Sequence, residues 1–310
     1  MRLILGISLL TLGYQTALAQ LVTESFGSGA NAFTMEFVTI GNPGNVADTT
    51  GSPNPAGAVS YTYNIGKYEV SRDMINKANT AGSLGITLED MTNYGGNGVN
   101  RPSAGISWNE AATYVNWLNT STGGTAAYKF VGGTFQLWSA GDAGYNASNM
   151  FRNSLAKYWL PSSNEWYKAA YGNLNGNWNN YATGSDSAPT AVASGTAANT
   201  AVYSGQSGPA DITSAGGLSP YGTMGQGGNM WEWNETAFDG SNNTAGESRE
   251  LRGGAWSRSS STLVASGRAG IDPADGSPTY GFRVASVPEP SALSLLAIGL
   301  GGLALVRRRK

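Results

Sequence analysis

The sequence predicts an α+β fold, a single loop-rich domain in which two helices pack on short strands. Three observations predict it. Two segments pair a helix-start signal with apolar residues at helical spacing, and short aromatic runs recur as strand candidates. The 44 glycines, with abundant Asn, Ser and Thr, leave little chain for long regular elements. No repeat of solenoid or propeller period interrupts this pattern. All nine tryptophans fall between Trp108 and Trp256, as aromatic anchors of an irregular domain would.

Phe33 to Thr39 and Val59 to Val70 read as strands, since Tyr61, Tyr63 and Ile65 alternate with polar residues. Gly41 to Gly57 between them is a Pro/Gly/Asn loop. Ser107-Trp108-Asn109-Glu110 is a capping box, and Ala111, Ala112, Val115 and Leu118 follow at helical spacing. Pro161-Ser162-Ser163-Asn164-Glu165 repeats that signal ahead of Trp166, Ala169 and Ala170. Beyond Gly172 the chain reads as loop, broken by short strands at Trp231-Glu232-Trp233, Leu251 to Trp256 and Tyr280 to Val284.

The two ends do not belong to this domain. Residues 1–19 give a basic Arg2, an apolar run from Leu3 to Leu12 and a small-x-small end at Ala17-Leu18-Ala19, the order of a cleavable secretion signal. At the other end Val287-Pro288-Glu289-Pro290 precedes an apolar stretch, 291–306, and then Arg307-Arg308-Arg309-Lys310. Those 16 residues would form a helix about 24 Å long, a short membrane span with its cations held inside the cell. Between the ends, 32–286 is the folded domain.

Processing at both ends removes Arg2 and the four tail cations, so 18 basic residues become 13 against 20 acidic, or 19 if Glu289 also leaves. The remaining chain is mildly acidic and has no basic stripe, which argues against nucleic-acid binding. Cys and His are both absent. No disulfide, no zinc site of the usual ligands and no Ser-His or Cys-His nucleophile can be built.

Several segments carry a more specific signal when taken in order. Phe33-Thr34-Met35 is followed by Ile65-Gly66-Lys67-Tyr68-Glu69-Val70-Ser71, Pro102, Ile106 to Ala111, Trp117-Leu118, Trp159 to Ser162 and Glu165-Trp166. Then come Gly228-Asn229-Met230-Trp231-Glu232-Trp233, Leu251-Arg252-Gly253-Gly254-Ala255-Trp256 and Gly281-Phe282-Arg283. On their own terms, Trp231 and Trp233 share one strand face with Glu232 opposite. Gly253-Gly254 allows an unusual φ, and Arg252 and Arg283 need acceptors if buried. As a series, the segments resemble the formylglycine-generating, sulfatase-modifying factor family, whose fold is a variant of the C-type-lectin-like fold. The order of parts in the tail resembles the PEP-CTERM signal of Gram-negative bacteria. That resemblance implies an exosortase-type processing enzyme as partner, passage through the inner membrane, and delivery to the cell surface or extracellular matrix.

The family resemblance also implies sites. Formylglycine-generating members hold copper with two cysteines a few residues after Arg-Gly-Gly; the matching places fall near Arg258 and Leu263, and the following serine is Ala255. The sulfoxide synthases hold iron through histidines of an additional domain, which this chain lacks. Neither copper nor iron is therefore expected. Structural Ca²⁺ in the family implies Asn199 and Glu232 as side-chain ligands, with Gly228 and Met230 as carbonyl donors, although the acidic or amide position before Gly-Asn is Gly225. A ligand groove walled by Trp231 and Trp256 is the remaining candidate site. Two functions follow from different classes: a non-catalytic domain binding exopolysaccharide or a surface protein, or an oxidase or oxygenase with a carboxylate metal centre drawn from Asp239, Glu247, Asp272 and Asp275. Ligand chemistry favours the first.

Overall fold

The structure is a computed structural model and describes residues 20–288. The secretion signal at 1–19 and the apolar stretch at 291–306 lie outside the described residues. Among the described residues no helix is long and apolar enough to cross a membrane.

The strands in chain order are β1 (Leu21–Phe26), β2 (Phe33–Ile40), β3 (Tyr63–Gly66), β4 (Lys129–Val131), β5 (Thr134–Gln136), β6 (Tyr158–Trp159), β7 (Thr190–Ala191), β8 (Thr200–Ala201), β9 (Trp231–Ala237), β10 (Arg249–Arg252), β11 (Arg268–Ile271), β12 (Tyr280–Gly281) and β13 (Ala285–Ser286). The helices are α1 (Arg72–Gly82), α2 (Trp108–Ser121) and α3 (Ser163–Tyr171). The result is a mixed α/β domain with few helices, built on a five-stranded sheet ordered β1-β2-β3-β13-β6 and a four-stranded sheet ordered β11-β10-β9-β12. One large apolar core, with Phe37, Ile65, Trp108, Tyr114, Trp233 and Phe282 among its members, runs between the sheets and α2.

Helices α2 and α3 form where the sequence puts them. In each, the cap serine (Ser107, Ser162) accepts from the amide of the glutamate three residues on, and that glutamate's side chain accepts from the cap backbone. The third helix, α1, was not anticipated. Its signal is weaker: Ser71 accepts from the Met74 amide without a reciprocating glutamate, and Ile75 and Ala78 are its only buried apolar residues, beside Arg72. Strand β1 was also missed, because Leu21 to Phe26 adjoin the secretion signal. It pairs along its whole length with β2.

Three expected strands are shorter or divided. Of Val59 to Val70 only Tyr63–Gly66 joins a ladder, since the backbone of Val59 is bound to Asn45 and Gly44 and that of Lys67 turns to Glu36. The ladder after Leu251 stops at Arg252, because Gly253 and Gly254 take φ of 94° and 73°. Of Tyr280 to Val284 only Tyr280–Gly281 is strand, as β12 pairing in parallel with β9, and β13, which begins just beyond at Ala285, enters the other sheet between β3 and β6. The link between β12 and β13 therefore stitches the two sheets together, and Arg283 lies in it.

Candidate functional site

The separate sequence motifs meet in one buried cluster. Arg283, wholly buried, donates from Nε to Glu232 Oε2 (2.6 Å) and from Nη2 to Glu232 Oε1 (2.7 Å). Its remaining donors reach the carbonyls of Gly66 (2.8 Å), Lys67 (3.3 Å) and Met224 (2.8 Å), so all five are used. Trp166 of α3 donates its indole N–H to Glu232 Oε2 at 2.8 Å. Gly253 lies against this tryptophan, where a Cβ would meet Gln226 O at 2.6 Å and the Trp166 ring at 3.2 Å. On the other face of β9, Trp233 donates to Ile106 O (2.7 Å), and Trp108 donates to Asn234 O (3.0 Å). The alternation expected of Trp-Glu-Trp is present.

Glu69, which sequence reasoning did not single out, completes the cluster. It is 1% exposed, and Oε2 accepts from Asn229 Nδ2 at 2.5 Å, while Oε1 has no partner among the described residues. Gly225, the position where the family resemblance implies an acid or amide, lies beside it: a Cβ there would sit 3.2 Å from Glu69 Oε2, and its φ is +80°. A carboxylate from the loop after β3 thus fills the space a side chain at 225 would occupy. Two carboxylates share one guanidinium. Burial raises the Glu69 carboxyl well above the usual range and the Glu232 charge adds to it, against the opposing effects of Arg283 and Asn229. The raised carboxyl favours the neutral form of Glu69, which leaves Arg283 balanced by Glu232.

The two side chains among the calcium ligands implied by the sequence have other partners. Glu232 already faces Arg283 and Trp166, which take three of its roughly four lone-pair sites. Asn199, exposed and at φ 55°, accepts from Thr183 Oγ1 at 3.0 Å. Gly228 donates its amide to Gly253 O at 2.8 Å, a bond that does not involve the carbonyl the resemblance implies as a donor. Glu232 therefore offers one spare lone pair beside a fixed guanidinium, where a Ca²⁺ ion takes about six to eight oxygens.

The places matching the copper thiolates do not fit that metal. Arg258 is exposed and offers its carbonyl to the Ser204 amide. Leu263 is fully buried in an apolar cluster with Ala201 and Tyr203. The alternative carboxylates Asp239, Glu247 and Asp272 each accept from a backbone amide of their own turn, and Asp275 is exposed on the turn after Asp272. Among the described residues no group of three acidic, Cys or His side chains converges to hold a metal ion.

Trp231 and Trp256 were expected to wall a groove. Each is 7% exposed and belongs to the main core, so neither presents a ring face to solvent. Trp256 supports another ring: Tyr94, 38% exposed, packs on it with centroids 5.4 Å apart. Near Tyr94 the surface opens into a cleft of about 280 Å³, lined by Gly95, Arg101, Ser194, Ser207, Asp211 and Ser214 among others.

Fold and cluster together define a domain whose diagnostic residues are spent on buried architecture. A model of the sulfatase-modifying factor enzyme 1-like domain matches residues 31–287, and the chain belongs to that family. A PEP-CTERM protein-sorting motif matches 286–310, which marks the protein for export and the surface of a Gram-negative cell through an exosortase-type system. No curated protein matches in sequence. Among solved structures, Treponema denticola variable protein 1 is similar at 21% identity and TM-score 0.62, over 86% of this chain and 99% of that one. CarF follows at 16% identity and TM-score 0.57 (82% and 99% covered), and PvdO from Pseudomonas aeruginosa at 14% and 0.53 (86% and 98% covered). At these identities the likeness is one of fold.

Proposed function

We propose that this exported protein uses its sulfatase-modifying-factor-like domain, a C-type-lectin-like scaffold, for binding at the cell surface or in the extracellular matrix, and not for catalysis. One observation carries the reading. The two places where the family holds copper present an exposed guanidinium, Arg258, and a buried aliphatic chain, Leu263, in a chain without Cys or His. Soft-metal oxygen chemistry needs thiolate or imidazole donors, and a neighbouring cation disfavours a metal ion further. The Glu232–Arg283 pair supports the same reading, because it supplies from within the fold the charge compensation that an ion would otherwise give.

The test is direct. The purified protein is incubated with copper and a cysteine-containing sulfatase peptide, and the product is read by mass spectrometry. No conversion of cysteine to formylglycine above a no-protein control is expected. Turnover above that control would overturn the proposal and restore an oxidase.

A further inference from the structure

We propose that the cleft beside Tyr94 is a subsite for a neutral, hydroxyl-rich glycan segment; this rests on the binding reading above and gives it a place and a ligand class. The cleft is assembled from three chain segments locked to one another. The Asn100 carbonyl accepts from the Ile212 amide (2.9 Å), and Gly195 exchanges backbone bonds with Ser214 (2.8 Å) and Gly216 (2.9 Å). Ser194 Oγ reaches Ser214 Oγ at 3.1 Å across the floor. Gly208 packs so closely on the Tyr94 carbonyl that a Cβ would lie 1.9 Å from it, and the Gln206 amide is held by the Trp256 carbonyl at 3.0 Å. A site fixed before its ligand arrives loses little freedom on binding.

The lining chooses the ligand. Arg101 is the one cation and Asp211 the one anion in the wall, and they pair at 3.4 Å. The guanidinium is further committed to the Pro209 and Gly95 carbonyls. Three of its five donors are thus directed at protein acceptors, and an anionic polymer would meet a cation already paired with Asp211, on a chain of pI about 5.3. An apolar ligand would meet Ser194, Ser207, Ser214 and the half-exposed Asp211. A carboxylate with lone pairs to spare and three hydroxyls that both donate and accept suit a ligand that is itself a dense array of hydroxyls. Tyr94, adjoining Gly95 and held by Trp256, offers an amphipathic ring at the margin, of the kind that packs on the C–H face of a sugar. The volume, about 280 Å³, suits one or two sugar rings.

Titration calorimetry of the full-length chain in detergent, with maltohexaose and cellohexaose as neutral probes and hexagalacturonate as the anionic one, tests this. A neutral probe should bind, and at least about tenfold more tightly than hexagalacturonate. Ser194→Trp, at an exposed position, should fill the cleft and weaken binding at least about tenfold without moving the melting temperature, and Asp211→Asn should weaken it several-fold. Absence of neutral-probe binding, equal affinity in Ser194→Trp, or preference for the anionic probe would overturn the inference. Retention of wild type and Ser194→Trp on extracellular polymer isolated from the native cells separates the two ideas. Equal retention of both sinks the cleft and keeps the binding module, whereas no retention of either sinks the reading on which it rests.

Discussion

Arg283→Met should be among the most damaging single substitutions in this chain. The methionine leaves Glu232 without its bidentate partner in a site with no measurable exposure, and strands the Gly66 and Met224 carbonyls, while the Lys67 carbonyl keeps the Met224 amide. Breaking one side of a buried ion pair costs roughly 3–5 kcal/mol, since the surviving charge stays desolvated. Stranded carbonyls add about 1 kcal/mol each where water cannot reach them. A loss near 5 kcal/mol follows, against a total stability of about 5–15 kcal/mol for a typical domain. Glu232→Gln in the same background removes the orphaned charge and keeps an acceptor for the Trp166 N–H. The double variant should therefore recover about 2–3 kcal/mol. Urea unfolding followed by tryptophan fluorescence on the four proteins of the cycle measures both quantities. A loss below about 1.5 kcal/mol for Arg283→Met, or a double variant no more stable than the single, would refute the account of the cluster.

Three further outcomes are expected. Because burial raises the Glu69 carboxyl in the folded state, it contributes stability at low pH which is lost as pH rises from the unfolded value near 4.5 through the raised folded one, at up to about 1.4 kcal/mol per pH unit. Glu69→Gln, with its amide nitrogen at the unpartnered Oε1 position, should then be more stable than wild type at alkaline pH, and superimposable urea midpoints from pH 5 to 9 would contradict this. EDTA should leave the melting temperature unchanged because Arg283 occupies the charge-compensating role, whereas a calcium-dependent rise would show a site that Glu232 was thought too engaged to provide. In cells that contain the exosortase-type enzyme, mass spectrometry of the surface protein should show loss of residues 291–310, and an intact C-terminus would refute processing at Pro288-Glu289-Pro290.

Sequence by itself determined what depends on composition and on neighbours along the chain. The starts of α2 and α3 were legible because a capping box is a contract between residues three apart, Ser107 with Glu110 and Ser162 with Glu165. The chemistry excluded was legible because no fold can supply thiolates or imidazoles to a chain without Cys and His. Helix α1 and strand β1 were not, since a half-signalled helix and a strand with one buried residue owe their existence to the elements they pack on. Tertiary structure alone decided which charges meet. Glu69 finds Asn229 across 160 residues and Glu232 finds Arg283 across 51, and no local pattern encodes either encounter. It also decided that Trp231 and Trp256 go inside while Tyr94 stays out. All three rings gain from leaving water, but core volume is finite, and the ring on the loop beside the cleft is the one left at the surface.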